Sequence, residues 1–462
     1  MRGFVAIYDQ LRTLKGEKTM RPKHLSEATL VGNTLVVPDS DGFIVYCPYN
    51  KNITHVTQSP LSNVELRAAL TEGGFFGDLP RSVKKDASWE GFTNLTLFMT
   101  RRCNLRCVYC YATAGVQLDA VPDMTPERAE DAVRWFIAQL PKSRESIRVS
   151  FHGGGEPTLN LSVIKRTVEV VKASAKERPR HLLITTNGVM RASTLGWLMK
   201  EGFAISISAD GPPDIQNRNR PMASGKGSSE KVEETIRRLV EADYPFTVRV
   251  TFSANDNVAE IVKYFGQAGV KSIHLEPLFP HGREYEKVCF DSGSHAIDAP
   301  VGLGMAHEFM AALDAARECG VRVTNSHLSN FNTGLGYFCG GARGRSMMLT
   351  HDGHLTACLE VVDGKEPEML DFQLGRWEED SQNPTLDHEN IEKFRHRHVD
   401  SMPLCAGCFA RFICAGGCAI KGYRATGDFL SPDISYCQFT KTVVPLIVQR
   451  IYHETFRREV VK

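Results

Sequence analysis

Six short apolar segments alternate with helical patterns between residues 95 and 280, and this alternation restricts the fold more than any other feature. The segments read LTLFMTR, IRVSFH, HLLITT, FAISIS, FTVRVTF and SIHLEP. The first helical pattern, TPERAEDAVRWFIAQL, has Thr125 as its N-cap and Pro126 at its first position. Strands that alternate with helices are typical of parallel β/α units. Six units in a row favour a partial (β/α)6 TIM-like barrel over a doubly wound sheet, although spacing alone does not decide between them.

Polar or glycine-rich stretches follow the first four predicted strands. The first strand runs into the stretch CNLRCVYC, and the next three end in HGGGEPT, TTNG and SADGPP. In β/α barrels the loops after the strands build the active site. The sequence therefore predicts one site at one mouth of the barrel.

The composition excludes several classes of function. The net charge is +1, with no long basic block, which argues against nucleic acid as the main partner. The first segment of the chain has no apolar stretch of signal-peptide length, and no run approaches the roughly 20 apolar residues of a membrane span. We therefore expect a cytoplasmic protein with neither a nucleic-acid nor a membrane partner.

The cysteines point to metal binding. In a large chain without a secretion signal, 13 cysteines are more typical of metal sites than of a disulfide framework. Ten of them fall into two groups, at 103–110 and 339–437, whereas Cys47, Cys289 and Cys319 are isolated and are expected to be plain buried thiols. The first group has the spacing C-x-x-x-C-x-x-C, one ligand short of structural zinc or an ordinary iron–sulfur cluster. It therefore predicts a metal site with an open position.

The cysteine triplet, followed by GGEP at 154–157, resembles the radical S-adenosylmethionine (SAM) enzymes over about residues 92–280. The resemblance implies that Cys103, Cys107 and Cys110 hold a [4Fe–4S] cluster whose fourth iron binds SAM. It also implies that an electron from this cluster cleaves SAM to a 5′-deoxyadenosyl radical, which abstracts a hydrogen atom from the substrate. Cysteine-ligated clusters reach the low potentials that this reduction needs.

The same resemblance implies contacts with SAM. Tyr109 would lie beside the adenine, and Gly154, Gly155 and Glu156 would meet the methionine amine. Arg249 on the fifth strand would pair with the SAM carboxylate, because a planar guanidinium can donate two hydrogen bonds to one carboxylate. The candidates for ribose or carboxylate contacts are Asn187, Ser206 and Ser208.

The sixth strand carries two ionisable side chains, His274 and Glu276. We predict that they point in opposite directions, so that at most one of them faces the barrel interior. Each is expected to have a structural rather than a catalytic role.

The C-terminal third contains the other seven cysteines, which exceed one tetrahedral site and fall one short of two. A zinc knuckle within 405–418 is one interpretation. The whole pattern is similar to the SPASM domain, which implies two auxiliary [4Fe–4S] clusters beside the SAM-binding one. Carried over by position, one auxiliary cluster would have four ligands, Cys405, Cys408, Cys414 and Cys437. The other would have three, Cys339, Cys358 and Cys418.

Many relatives supply an eighth cysteine between the first two of this set, and this chain has none between Cys339 and Cys358. The fourth iron of that cluster could be open to substrate or water, could take a non-cysteine ligand, or could be reached by Cys319 or Cys289.

The sequence predicts five parts along the chain. The first resembles a small α+β module with one evident helix, SPLSNVELRAAL, capped by Ser59. This module either recognises a leader peptide or covers the open side of the barrel. The turn-rich segment 281–301 is expected to form a loop over the mouth. The boundaries are 1–90 for the N-terminal module, 91–300 for the radical SAM barrel, 301–335 for a bridging helix, 336–440 for the SPASM domain and 441–462 for a C-terminal helix.

The favoured function is a radical SAM/SPASM maturase that modifies a ribosomally made peptide or protein, with the substrate possibly preceded by a leader sequence. The products would be a thioether, a carbon–carbon crosslink or a related oxidation, and flavodoxin or ferredoxin would donate electrons. One alternative is a sulfatase maturase that makes formylglycine, because the segment RNRP resembles that branch. Another alternative is a small-molecule enzyme that acts on tetrapyrroles. A further alternative is a noncatalytic iron–sulfur carrier, but GGEP and the open cysteine triplet argue against it.

Overall fold

The computed structural model describes most of the chain. The predicted loop 281–301 lies outside the described residues except for its last positions, which belong to a helix. None of the helices in the described segments is long and apolar enough to cross a membrane. The described residues are 28–78, 90–114, 123–140, 146–175, 178–278, 299–331 and 336–456.

The N-terminal part contains a four-stranded antiparallel sheet whose strands follow chain order. Helix α1 (Val64–Glu72) follows the sheet and is capped by the side chain of Asn63. The predicted cap, Ser59, instead closes a turn, because its carbonyl oxygen accepts the amide of Asn63 at 3.1 Å. The prediction of the helix start was therefore wrong. The strands are β1 (Thr29–Val31), β2 (Thr34–Asp39), β3 (Gly42–Cys47) and β4 (Asn52–Val56).

Six parallel strands connected by helices form the centre of the molecule. The strands are β5 (Asn94–Phe98), β6 (Ile147–His152), β7 (Arg180–Thr186), β8 (Ala204–Ser208), β9 (Phe246–Phe252) and β10 (Ser272–Pro277). The helices are α2 (Pro126–Gln139), α3 (Leu161–Ala175), α4 (Ala192–Lys200), α5 (Pro213–Asn219), α6 (Ser229–Glu241) and α7 (Val258–Gln267). As predicted, the hydroxyl of Thr125 caps α2. Because neighbouring strands are also consecutive in the chain, the doubly wound alternative is excluded.

The sheet continues beyond both edges of this unit and reaches 11 strands. Strand β11 (Arg322–Thr324) pairs in parallel with β10, and β12 (Ser346–Leu349) pairs in parallel with β5. Three antiparallel strands follow β12. The two outermost strands do not pair, so the sheet is open and the predicted partial barrel is confirmed. The antiparallel strands are β13 (His354–Thr356), β14 (Gln373–Arg376) and β15 (Thr385–Leu386).

The last helix begins earlier than predicted. It starts at Ile434 rather than at 441, and the carboxylate of Asp433 caps it by accepting the amide of Ser435 at 2.8 Å. Cys437 therefore lies in its first turn. This helix packs against the helix Ala299–Cys319 and the N-terminal sheet. The helices of the C-terminal part are α8 (Ala299–Cys319), α9 (Met369–Phe372), α10 (His388–His396), α11 (Arg411–Cys414), α12 (Ala419–Thr426) and α13 (Ile434–Phe456).

Buried and half-buried residues alternate along β6, β8 and β9. The buried ones are apolar and join one continuous core with the surrounding helices. Successive side chains of a strand point to opposite faces. The half-buried positions, which include polar residues such as Ser208 and Arg249, therefore share the face that lines the barrel interior.

Candidate functional site

The first three cysteines lie in the loop that follows β5, and backbone hydrogen bonds hold this loop from two sides. The amides of Gly155 and Glu156 donate to carbonyl oxygens of the loop at 2.9 and 2.8 Å. From the other side, the carbonyl oxygen of Pro221 accepts the amide of Arg106 at 2.7 Å. The structure thus brings the cysteine loop together with the loops after β6 and β8.

The GGEP loop approaches the cysteine loop at a distance that only glycine permits. A Cβ atom at Gly155 would lie 2.0 Å from the carbonyl oxygen of Arg102. Gly154 has a φ of +27°, and a Cβ there would lie 2.7 Å from the side chain of Arg101. These glycines set the packing of the two loops. Their predicted contact with the methionine amine of SAM stays a prediction.

The carboxylate of Glu156 joins the ends of β6 and β7. It is 2% exposed and accepts hydrogen bonds from the amide and hydroxyl of Thr158, the hydroxyl of Thr186 and the amide of Asn187, at 2.7 to 3.1 Å. Burial raises the pKa of Glu156, and the hydrogen bonds from Asn187 and Thr158 oppose that rise. With these bonds in place, the carboxylate fixes the two loops. Its predicted contact with SAM stays a prediction.

Asn187, at the end of β7, lies beside the first cysteine. Its Nδ2 donates to Oδ1 of Asn104 at 2.7 Å and lies 3.7 Å from Sγ of Cys103. Its Oδ1 accepts the amide of Val189 at 2.9 Å, which fixes the side-chain orientation. The amide therefore places a donor at a cysteine sulfur. The predicted contact with SAM stays a prediction.

Tyr109 belongs to a buried charged network. Its hydroxyl donates to Oδ2 of Asp210, which is fully buried and whose Oδ1 accepts Nε of Arg220 at 3.0 Å. The guanidinium of Arg220 lies 5.2 Å from the centre of the Tyr109 ring, and its Nη1 lies 3.9 Å from Sγ of Cys107. Burial raises the pKa of Tyr109, which therefore remains a donor. Asp210 and Arg220 were not among the predicted site residues, although both lie in the polar stretches SADGPP and RNRP.

Arg249 is a half-buried cation that the described residues leave without a hydrogen-bond or ion-pair partner. No described side chain forms a hydrogen bond or ion pair with its guanidinium. Burial lowers its pKa, and the charge of Glu276 is the main opposing influence. Ser208 lies next to Arg249 in the register of β8 and β9, and Ser206 shares the face of Ser208. The structure thus places these predicted contacts together, and an anion in the barrel interior would meet them.

Replacing Arg249 with methionine is expected to weaken SAM binding by about 10- to 100-fold, because a hydrogen bond between charged groups contributes roughly 1.5–3 kcal/mol. Equilibrium dialysis with labelled SAM on iron-loaded protein measures this change. The matched control is Arg148→Met, at the start of β6 and so at the opposite end of the barrel. Equal affinities for the Arg249→Met variant and the wild type would contradict the assignment.

His274 and Glu276 point to the same face of β10, so the prediction of opposite directions was wrong. Residues two positions apart in a strand share a face, and His274 Nε2 lies 3.1 Å from Oε2 of Glu276. Burial alone would raise the pKa of Glu276, but the hydrogen bond with His274 lowers it, so the carboxylate is ionised.

The hydroxyl of Tyr436 donates to the carbonyl oxygen of Pro277 at 2.9 Å and joins the cysteine-rich part to the barrel mouth.

Four of the C-terminal cysteines line one pocket. Burial and then the charges of Cys405 and Cys408 raise the pKa of the Cys437 thiol to about 12. Without a cation the Cys437 thiol would remain protonated, whereas metal binding displaces thiol protons. The four are Cys405, Cys408, Cys414 and Cys437.

The other three C-terminal cysteines, Cys339, Cys358 and Cys418, also lie near one another. Burial raises the pKa of Cys358 well above its usual value, and the charges of Cys418 and Cys339 raise it further. These charge effects indicate that the three cysteines are neighbours. The amide of Ala342 donates to Sγ of Cys339 at 3.4 Å, and the amide of Glu360 donates to Sγ of Cys358 at 3.4 Å.

The spacing of the sulfurs fits iron–sulfur clusters better than zinc. In a tetrahedral site with Zn–S bonds of about 2.3 Å, the sulfurs lie about 3.8 Å from one another. Within the described segments, no three cysteine sulfurs lie within 4.8 Å of one another. A cluster separates its cysteine sulfurs more widely, because each cysteine binds a different iron. The zinc-knuckle interpretation is therefore disfavoured.

Arg397 lies between the two C-terminal cysteine sets and is fully buried. Its guanidinium donates to the carbonyl oxygens of Phe429, Gly417 and Gly416 at 2.8, 3.0 and 3.2 Å. No described carboxylate pairs with it. Burial lowers its pKa, and cysteines of both sets oppose this, first Cys418 and then Cys339. A buried cation needs a counter-charge, which thiolates bound to metal would supply.

Neither of the isolated cysteines in the described part of the chain supplies an eighth ligand. Cys319 lies at the end of α8, where a Cβ at Gly266 of α7 would be 3.3 Å from its sulfur. Its thiol therefore lies against α7 rather than beside the trio, which removes one of the predicted options. Cys47 is buried in β3, as expected for a plain thiol. Cys289 lies outside the described residues.

Residues 97–268 match the family model described as the Radical SAM superfamily. Together with the open sheet and the cysteine loop after its first strand, this match defines a radical SAM domain. The chain therefore contains a radical SAM domain, whose family uses SAM and a [4Fe–4S] cluster. The resemblance to radical SAM enzymes that the sequence indicated is confirmed for this domain.

Curated relatives span different shares of the chain. An uncharacterized protein of Methanocaldococcus jannaschii is 30% identical over 200 residues, which cover 42% of this chain and 66% of that protein. The AdoMet-dependent heme synthase of Methanosarcina barkeri is 26% identical over 361 residues, covering 73% and 94%. The serine-type anaerobic sulfatase-maturating enzyme of Bacteroides thetaiotaomicron is 22% identical over 356 residues, covering 72% and 84%.

Two solved structures share the fold. The protein anSMEcpe with bound AdoMet superposes with a TM-score of 0.62 at 20% identity. The superposition covers 80% of this chain and 100% of the anSMEcpe chain. Streptococcus suis SuiB bound to its precursor peptide SuiA has a TM-score of 0.53 at 14% identity, covering 89% and 100%. The similarity to SuiB and anSMEcpe thus extends well beyond the radical SAM domain.

Proposed function

We propose that this radical SAM enzyme is a SPASM-type maturase that modifies a ribosomally made peptide or protein by hydrogen abstraction. The observation that carries the proposal is the convergence of seven further cysteines into two sets, joined to the barrel mouth through Tyr436. The described fold also resembles two proteins whose structures were determined with a peptide, SuiB with SuiA and anSMEcpe with Cp18Cys.

The first cysteine loop has the donor set of a cluster with one open iron. Cys103, Cys107 and Cys110 would hold that cluster, which together with SAM supplies a 5′-deoxyadenosyl radical when both are bound. Asn187 and Arg220 point donors at the sulfurs of Cys103 and Cys107. Hydrogen bonds to cluster sulfurs are a main determinant of reduction potential. These two side chains would therefore adjust the potential at which SAM is cleaved.

The interior face of the barrel would orient SAM. Arg249 would bind the carboxylate with its guanidinium, which no described residue pairs with, and Ser206 and Ser208 lie on the same side. The ring of Tyr109, which its hydrogen bond to Asp210 holds in place, would lie against the adenine. A noncatalytic carrier would have no use for a half-buried guanidinium that no described residue pairs with, so Arg249 also favours an enzyme.

We propose that the auxiliary trio leaves its fourth iron open to substrate or water. Glu360 is the nearby carboxylate, but Nη1 of Arg424 donates to it at 3.1 Å and Nζ of Lys421 lies 3.5 Å away. These cations neutralise the carboxylate and make it a poor iron ligand. An open iron at the mouth could bind a thiolate or amide of the substrate. Added thiol peptide should then perturb the spectrum of that cluster, and an unchanged spectrum would count against this step.

The N-terminal module is proposed to bind a leader sequence at a sheet edge. Strand β1 is an edge of the four-stranded sheet, and an extended peptide can add to such an edge through backbone hydrogen bonds. The other proposed partner is a reduced flavodoxin or ferredoxin, which would supply the electron to the first cluster.

Two other substrate classes have specific support. The sulfatase-maturating relative favours formylglycine formation on a sulfatase. The heme synthase relative, matched over 94% of its length, favours a tetrapyrrole substrate. All three functions share SAM cleavage, so the substrate distinguishes them.

The decisive experiment pairs the enzyme with its candidate substrate. Iron-loaded protein reduced with dithionite or flavodoxin is expected to convert SAM to 5′-deoxyadenosine. Co-expression with short peptides encoded beside its gene should remove two hydrogen atoms per crosslink, measured by mass spectrometry. Formylglycine in a sulfatase peptide, or decarboxylation of a tetrapyrrole with no change in any peptide, would overturn the peptide-crosslinking assignment. Absence of SAM cleavage in fully iron-loaded protein would overturn the proposal that this protein is a SAM-cleaving enzyme.

A further inference from the structure

Two buried polar side chains from different parts of the fold lie beside the sulfur of Cys414. His327 belongs to the short 3₁₀ turn Ser326–Leu328 that follows β11, and Thr440 belongs to α13. Each of the two is only 1% exposed. Their polar atoms form no hydrogen bond with an oxygen or nitrogen atom of the described residues. A buried polar group without a partner is costly, so both side chains call for a specific acceptor.

The imidazole of His327 is aimed at Cys414. Its Nδ1 lies 3.8 Å from Sγ of Cys414, whereas its Nε2 is buried and has no partner among the described residues. The ring lies against the ring of Tyr436, with the ring centres 3.8 Å apart, and the amide of His327 donates to Oδ1 of Asn325 at 2.8 Å. These contacts fix the ring. A sulfur bound to iron carries no proton, so a hydrogen bond between the two requires the proton on Nδ1.

The hydroxyl of Thr440 also faces the cysteines. A helical threonine can donate to the carbonyl oxygen four residues earlier, as Thr442 does to Gln438 at 2.9 Å. Thr440 makes no such bond, and its buried Oγ1 lies in a side chain that lines the same pocket as Cys414. Burial and then the charge of Cys437 raise the pKa of the Cys414 thiol, and the Thr440 hydroxyl opposes that rise. The sulfur is therefore the acceptor within its reach.

We propose that His327 and Thr440 donate hydrogen bonds to the sulfur of Cys414 and thereby raise the reduction potential of the cluster at the four-cysteine set. This inference rests on the proposed function, in which Cys405, Cys408, Cys414 and Cys437 hold an auxiliary [4Fe–4S] cluster. Hydrogen bonds to the sulfurs of a cluster stabilise the extra negative charge of its reduced state. Both residues act through a ligand and are positioning residues. They would favour transfer of an electron from the substrate into this set.

The test is a redox titration of the iron-loaded full chain, followed by electron paramagnetic resonance. Cys414→Ser identifies the signal of this set, because it changes one ligand of that cluster alone. Thr440→Val removes the hydroxyl with little change in volume, and His327→Leu removes the ring donor. At the midpoint potential of the wild type, the ratio of reduced to oxidised cluster should fall about 3- to 10-fold in each variant, as expected for the loss of one hydrogen bond. A tenfold change corresponds to about 59 mV for one electron.

Three control variants separate hydrogen bonding from packing. Thr440→Ser and His327→Asn keep a donor beside the sulfur, and Thr442→Val removes a hydroxyl that bonds to its own helix. All three should keep that ratio within about twofold of the wild type. Unchanged midpoints in Thr440→Val and His327→Leu at wild-type iron content would overturn the inference. Equal shifts in Thr440→Ser and His327→Asn would also overturn it, because they would indicate an effect of packing.

Failure of the proposed function has a different signature. If Cys414→Ser changes neither the spectrum nor the iron content per chain, the four cysteines hold no cluster. That result would overturn the assignment of the auxiliary cluster on which the two hydrogen bonds depend, whereas a normal cluster with an unshifted potential would overturn the hydrogen bonds alone.

Discussion

Replacing Cys107 with serine is expected to lower the rate of SAM cleavage to 5′-deoxyadenosine by at least about 1000-fold, which corresponds to about 4 kcal/mol of barrier. Cys107 is the middle residue of the open triplet, and its sulfur lies 3.9 Å from the guanidinium of Arg220. Without it, two irons of the cluster would lack a protein ligand, and the unpaired Arg220 donor would face a hydroxyl. Chromatography of 5′-deoxyadenosine and the iron content per chain provide the two measurements.

The matched control for this change is Cys319→Ser. The Cys319 thiol lies against α7, away from all three predicted clusters, so the variant should cleave SAM within about twofold of the wild-type rate, since surface and peripheral changes are usually small. A Cys107→Ser protein with full activity and unchanged iron would contradict the assignment of the triplet. Equal losses in both variants would instead indicate a general effect of removing thiols.

Replacing Arg397 with methionine is expected to destabilise the cysteine-rich part by about 3–5 kcal/mol, the usual cost of removing one partner from a buried charge pair. The fully buried guanidinium binds three carbonyl oxygens, and it lies between the two C-terminal cysteine sets, which would be thiolates once metal is bound. Loss of the guanidinium would leave these carbonyl oxygens without hydrogen-bond donors and the two cysteine sets without a counter-charge. Denaturant unfolding and the iron content per chain should fall together.

Two further variants separate charge from packing. Arg397→Lys keeps the charge but cannot reach Gly416, Gly417 and Phe429 at once, so it should lose less stability than the methionine variant. Arg134→Met removes an arginine whose side chain is 57% exposed in α2 and should change unfolding by no more than about 0.5 kcal/mol. An Arg397→Met protein as stable and as rich in iron as the wild type would exclude the counter-charge role.

The partial barrel could be predicted because its information is local. Each strand reads as a short apolar run, each connection contains a helix, and neighbouring strands are consecutive in the chain. The cap of α2 was predictable for the same reason, since Thr125 and Pro126 act within one turn. Local signals failed where a better cap lay nearby, as with Asn63 before α1 and Asp433 before α13.

The contacts that complete the site could not be predicted, because they join residues far apart in the chain. Asp210 meets Tyr109 across 101 positions, and Tyr436 meets Pro277 across 159. No pattern in a single sequence specifies such pairs. The error over His274 and Glu276 has another origin, since the strand period of two residues already places them on one face.

The parallel pairing of β12 with β5 has a consequence for electron transfer. The cysteine loop follows β5 directly, and β12 lies between Cys339 and Cys358 in the chain. Hydrogen-bonded strands, rather than a flexible linker, therefore determine how far the first cysteine loop lies from the auxiliary trio. Because tunnelling rates fall steeply with distance, this rigid spacing would keep the rate of electron exchange between the two proposed centres constant.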